Sequence, residues 1–175
     1  MKALDVRTLV HLPPEPVYEF LLDFPGYGDY SEYLTEIDQV GNGGAGTVYE
    51  FTVSWWLLTH TVRSEVTGLA PPERIEWAVA DVVDAHGAWH LEPATAHAPS
   101  DVEAATEVTL AVRYDPASVS EGTLDLPVPV SLDGLIERVR PTLEAEAEAV
   151  VERVVADLEG AARDVDLEVS TPRES

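Results

Sequence analysis

The sequence predicts an α+β domain in which a strongly curved antiparallel sheet of about seven strands wraps a long C-terminal helix around an apolar pocket. Three observations predict it. Stretches of period-two alternation recur from residue 3 to residue 114, so most of the chain reads as strands with one buried face. Two short helical patterns interrupt them once, directly after the first strand. A long helical pattern closes the chain from Ser131 to Gly160.

The first strand is carried by residues 3–12, where Leu4, Val6, Thr8, Val10 and Leu12 alternate with Asp5, Arg7 and His11. Pro13 and Pro14 end it. Glu15–Asp23 has Val17, Phe20, Leu21 and Phe24 at helical spacing, with proline in the first turn where no backbone donor is missed. Pro25-Gly26 breaks that helix, and the tyrosine-rich stretch 27–34 predicts a second short one. Ile37–Val40 predicts a short strand. Gly41-Asn42-Gly43-Gly44 is a turn, because glycine and asparagine accept positive φ cheaply. Four strands follow at Thr47–Trp56, His60–Thr67, Arg74–Ala80 and Gly87–Leu91. The polar, alanine-rich loop 93–105 leads to a further strand at Glu107–Tyr114. Residues 115–130 carry three prolines among Leu124, Leu126, Val128 and Val130. They read as an insertion, either a lid over the pocket or a segment packed on the sheet edge. Ser131 or Asp133 caps the last helix. Pro141 predicts a kink or break in it, and Gly160 predicts its end. One domain over 1–165 and a disordered tail over 166–175 complete the organisation.

Composition narrows the function. Thirty-three acids oppose ten bases, a formal charge of −23, and Lys2 is the single lysine. Such self-repulsion opposes compaction. In molar salt the Debye length falls to about 3 Å and the repulsion is screened. The expectation is a salt-rich cytoplasm, as in halophilic archaea. No basic patch is present to neutralise phosphates, so nucleic acid is not an expected partner. The chain has no cysteine, which excludes disulfides and thiolate metal sites. No apolar run approaches the ~20 residues of a membrane helix. Met1–Val10 does not read as a signal peptide, so the expected location is cytoplasmic. No sequence feature distinguishes a monomer from a homodimer.

The stretches VYEFLLDFPGYGDYSEYL (17–34), GNGGAGTVYEFTV (41–53), RSEVTGLAPPERIEW (63–77) and HGAWHLEP (86–93), in this order, resemble the polyketide cyclase/dehydrase-like members of the START and Bet v 1-like (SRPBCC) superfamily. The resemblance covers residues 3–160. It implies the helix-grip fold, with paired helices closing one end of a pocket for lipids, sterols, quinones, polyketides or aromatic hormones. Some relatives are cyclases and many only bind or carry, and fold alone does not choose between them.

Strand parity supplies the site candidates. Tyr49, Phe51, Val53, Trp55, Trp77, Trp89 and Tyr114 fall on the apolar faces of their strands, and each also fits a filled core. A concentration of indole and phenol groups along one face favours a cavity with a few polar anchors. His60 shares the parity of Val62 and Val66. It fits an anchor for a ligand carbonyl, an acid–base group if the protein is an enzyme, or a satisfied core histidine. His90 faces outward by parity, which opposes a His60–His90 metal pair. No H-x-H or H-E-x-x-H spacing occurs, and no cofactor motif is present. Arg63, Glu65 and Arg113 fall on the outer face; a bulge would bring either arginine inward to hold an acidic ligand. No nucleophile–base pair is apparent. Binding or carriage of a small hydrophobic molecule is therefore the first reading. A cyclase/dehydratase-type enzyme and a module that docks a protein helix are the alternatives.

Overall fold

The first strand, β1 (Lys2–Val10), lies next to the last strand of a meander that it precedes in sequence by about a hundred residues. The computed structural model describes residues 2–55, 58–81, 83–100, 102–118 and 132–171, with backbone alone at 55, 58, 116, 132–140, 142 and 143. After β1 come α1 (Pro14–Leu22), a 3-10 turn (Phe24–Asp29), β2 (Leu34–Val40), β3 (Val48–Trp55), β4 (Leu58–Ala70), β5 (Arg74–Val79), β6 (Asp84–Pro93) and β7 (Thr106–Asp115). The long helix α2 (Leu132–Glu159) and a short β8 (Glu168–Ser170) follow. The described strands form one antiparallel sheet of eight, in the order β2-β3-β4-β5-β6-β7-β1-β8. Because β1 and β2 sit near opposite edges, α1 and the 3-10 turn must cross the sheet.

Register explains the single buried face. Leu4, Val6, Thr8 and Val10 stand opposite Val112, Leu110, Val108 and Thr106. Trp89 and Leu91 of β6 extend the same row, and Ile75 of β5 lies beyond Trp89. Directly opposed residues share a face, so the row runs from β1 through β7 and β6 to β5. The outer face is charged. There Arg113 pairs with Asp5 at 2.8 Å and Arg63 with Glu50 at 3.1 Å, which keeps both arginines out of the interior.

Four features differ from the expectations set by sequence. Residues 27–34 are not a second α-helix. The chain makes the 3-10 turn over Phe24–Asp29 and enters β2 at Leu34. Gly26 and Gly28 weaken a helix there, and the Ser54 N–H donates to the Tyr33 carbonyl at 2.8 Å, recruiting the segment to the sheet. The last helix is continuous through Pro141. Pro141 is exposed, which puts the missing donor on the wet side of the helix. Residues 168–170 form a strand, although the sequence pattern from 166 onward predicts disorder. They pair with β1 at Asp5, Val6 and Arg7, whose outer edge has no other partner among the described residues. The remaining difference is one of extent: β6 runs from Asp84 to Pro93, longer than the apolar core of the segment at 87–91. The expected lid, 115–130, lies mostly outside the described residues.

The turn at 41–46 behaves as its composition predicts. Gly41 has φ +130°, and a Cβ there would come within 2.8 Å of the Thr47 hydroxyl oxygen. That hydroxyl accepts from the Gly43 N–H at 2.9 Å. Glycine is thus required for both conformation and space.

Polar contacts anchor the end of α2. Gly160, with φ +79°, terminates the helix. Glu159 accepts bonds from Arg163 Nε at 2.8 Å and Nη2 at 3.0 Å, and from the His11 backbone N–H at 3.0 Å. Arg163 Nη2 also donates to the Leu9 carbonyl at 2.8 Å. This clamp ties the helix end to the end of β1. Burial alone would raise the Glu159 pKa, but the hydrogen bonds from Arg163 and His11 and the adjacent guanidinium hold it below its ordinary value of 4.5. A carboxylate with a depressed folded pKa adds stability above its unfolded pKa and loses it as pH falls. The Glu159 side chain is only 10% exposed, so Glu159→Gln is expected to lower unfolding free energy by about 1–3 kcal/mol at neutral pH. In denaturant melts the gap between the two proteins should be constant above about pH 4.5 and close as pH falls through the lowered value.

Candidate ligand-binding site

A hollow of about 260 Å³ lies between α2 and the concave face of the sheet, and its walls present apolar atoms. From the sheet come Thr8 and Val10 of β1, Trp89 of β6 and Val108 of β7. Val17, Phe20 and Leu21 of α1 close one end, together with Tyr27, Tyr30, Ser31 and Leu34 from the crossing segment. The roof is the α2 stripe Val150, Val151, Val154, Val155 and Leu158. Helical spacing puts these five on one face. Four are valines, too short to fill the depth that leucine or phenylalanine would fill. Val155 is 1% exposed, whereas Val150, Val151, Val154 and Leu158 are only half-buried. The apolar stripe therefore borders open space over much of its length.

An aromatic cluster forms the closed end. Phe24 sits with its ring centroid 4.7 Å from that of Tyr49 and 6.3 Å from that of Phe51. Tyr27 lies 5.2 Å from Phe24, and Phe20 lies 5.3 Å from Tyr30 in an edge-to-face arrangement. Phe20, Tyr27 and Tyr30 face the hollow, and Phe24, Tyr49 and Phe51 back them.

The hydroxyls of the lining are engaged by protein oxygens. Thr8 donates to the Asp166 carbonyl at 3.0 Å, Tyr30 to Asp157 Oδ2 at 2.6 Å and Ser31 to Glu146 Oε1 at 3.3 Å. Tyr27 donates to the Leu21 carbonyl. The bond to Asp157, followed by burial and nearby carboxylates, pushes the Tyr30 pKa up to about 12. Burial, with the charge of Asp23 behind it, raises the Tyr27 phenol as well. Both phenols stay neutral at ordinary pH. At the same seam Arg153 donates to the Tyr30 carbonyl at 2.7 Å and lies 3.9 Å from Glu146.

Of the candidates from strand parity, Trp89 lines the hollow. Tyr49 and Phe51 belong to the core behind its aromatic end. Val53 and His60 stand opposite each other, half-buried, and border neither the hollow nor its rim. Trp77 lies over Gly87 of the neighbouring strand, where any Cβ would come within 2.6 Å of the indole. Tyr114 borders a separate edge hollow of about 580 Å³ with Leu4, Val6 and Leu167, whose walls include the carboxylates Glu144 and Glu148. The Trp55 side chain lies outside the described residues. Parity of the strands misses the helical walls. The signal for them is in the sequence, as the valine-rich stripe of the last helix and the Val17–Phe20–Leu21 face of the first. Among the described residues, no group of His, Asp and Glu side chains is arranged to hold a metal ion.

Residues 1–159 match the family model described as "Polyketide cyclase / dehydrase and lipid transport". The chain belongs to this family. Solved structures agree on the helix-grip fold. A protein of Thermus thermophilus is 17% identical with a TM-score of 0.61, over 90% of this chain and 97% of that one. The ZhuI aromatase/cyclase of Streptomyces sp. R1128 is 19% identical with a TM-score of 0.60, over 90% and 93% of the two chains. Ara h 8.0201 is 13% identical with a TM-score of 0.58, over 90% and 97%. At these identities the likeness shows the fold. No curated protein matches the sequence.

Of the two tryptophans whose side chains are described, Trp89 borders the hollow and Trp77 does not. Titration with an aromatic quencher of low polarity is expected to change tryptophan emission in the native protein and to the same extent in Trp77→Phe. In Trp89→Phe the change should be smaller.

Proposed function

We propose that this protein binds a small hydrophobic molecule of lipid, isoprenoid, quinone or polyketide-like kind in the hollow between the sheet and α2. The observation that carries the reading is the apolar hollow under the valine stripe of α2, in which Val155 is buried in the core while Val150, Val154 and Leu158 stay only half-buried. Filling that space removes apolar surface from water, at roughly 25 cal/mol per Å². The volume of about 260 Å³ falls just below the roughly 300–1,000 Å³ of small-molecule sites, which favours a small ligand or a part of one. The family description, which names lipid transport, supports the reading. Cyclase or dehydratase chemistry needs polar side chains that converge on a substrate. The described walls offer apolar atoms, and their hydroxyls are committed to protein acceptors.

Native mass spectrometry of gently purified protein is expected to show a bound apolar species. Val154→Trp should fill the hollow, abolish that species and leave the melting midpoint equal or higher. A bound species that persists in Val154→Trp would place the site elsewhere.

We also propose that the protein works in concentrated salt. With a net charge of −23 and its outer-face arginines already paired with acids, repulsion among the remaining carboxylates opposes folding until it is screened. The melting midpoint is expected to rise by several degrees or more between 0.1 and 2 M KCl; a flat or falling midpoint would refute the idea.

A further inference from the structure

We infer that the part of the ligand held inside the hollow is an uncharged alkyl or aryl group, carrying no carboxylate or carbonyl. This narrows the ligand class and rests on the binding function proposed above.

The first support is donor accounting. Four lining side chains carry hydroxyls, and each spends its hydrogen on a protein oxygen: Thr8, Tyr27, Tyr30 and Ser31. The strand backbones of the floor are used in the sheet ladder. A carbonyl brought inside would lose its bonds to water and find no donor to replace them. The buried hydroxyl without a partner among the described residues is that of Tyr18, which belongs to the core and not to the lining. The second support is charge. No lysine, arginine or histidine is among the described lining residues. At the seam Arg153 is engaged with the Tyr30 carbonyl and Glu146, while Asp157 and Glu146 present carboxylates there. An anion would approach the carboxylates of Asp157 and Glu146 and meet no counter-ion in the lining itself. A chain with regularly spaced carbonyls fits these walls poorly. A branched or aromatic hydrocarbon fits, with any polar group left outside in water.

Equilibrium binding of naphthalene and 2-acetylnaphthalene to the whole protein tests this, read by tryptophan emission and by calorimetry. Each affinity is divided by the probe's octanol–water partition ratio, so that general hydrophobicity cancels. 2-Naphthoate serves as the charged member, and Val154→Trp assigns binding to the hollow. The expected result is a corrected affinity for naphthalene at least tenfold above that for the ketone, with 2-naphthoate failing to displace naphthalene. A corrected ratio below tenfold, or displacement by the carboxylate, overturns the inference and leaves the binding function standing. If no probe binds, or binding is unchanged in Val154→Trp, the proposed function fails and the inference with it.

Discussion

The long helix is fastened by polar contacts at its end and along one seam, and the interior depends on that. Glu159, gripped by Arg163 and the His11 backbone, fixes where α2 stops relative to β1. Tyr30 and Arg153 fix its side against the crossing segment. Between those points Val155 is buried in the core, while Val150, Val154 and Leu158 border the hollow. The charged and hydroxyl groups thus sit at the margins of an apolar space.

The sheet was open to reading because alternation is a local signal. β1, β3, β4, β5 and β7 announce themselves by two-residue periodicity, and the register then places their apolar faces together. The elements that depart from expectation are those decided by distant partners. Tyr33 and Leu34 look helical until β3 offers them a hydrogen bond and a neighbour. Residues 168–170 look unstructured until β1 offers an open edge. Neither partner is visible within a window of local sequence. Pro141 does not break the last helix, and its exposed position leaves the lost backbone bond to solvent.

The site was harder to read for a related reason. Aromatic side chains on strands can be assigned to a face, yet facing inward does not say whether space or another ring lies opposite. Phe24, brought across the sheet by the crossing segment, is what turns Tyr49 and Phe51 into core. Trp89 lies beyond its reach and remains at the hollow. The α2 stripe was visible as a buried helical face. That it would border space follows from valine's short reach combined with the fixed position of the helix, and the second of these is a tertiary fact.

The orientation of the four lining hydroxyls also bears on traffic through the hollow. Since each of them already donates to a protein oxygen, an occupant of the proposed site would form no hydrogen bond with them that has to be broken on leaving. An apolar hollow of this kind tolerates being dry. For the proposed binder, exchange would then be partition between two apolar phases.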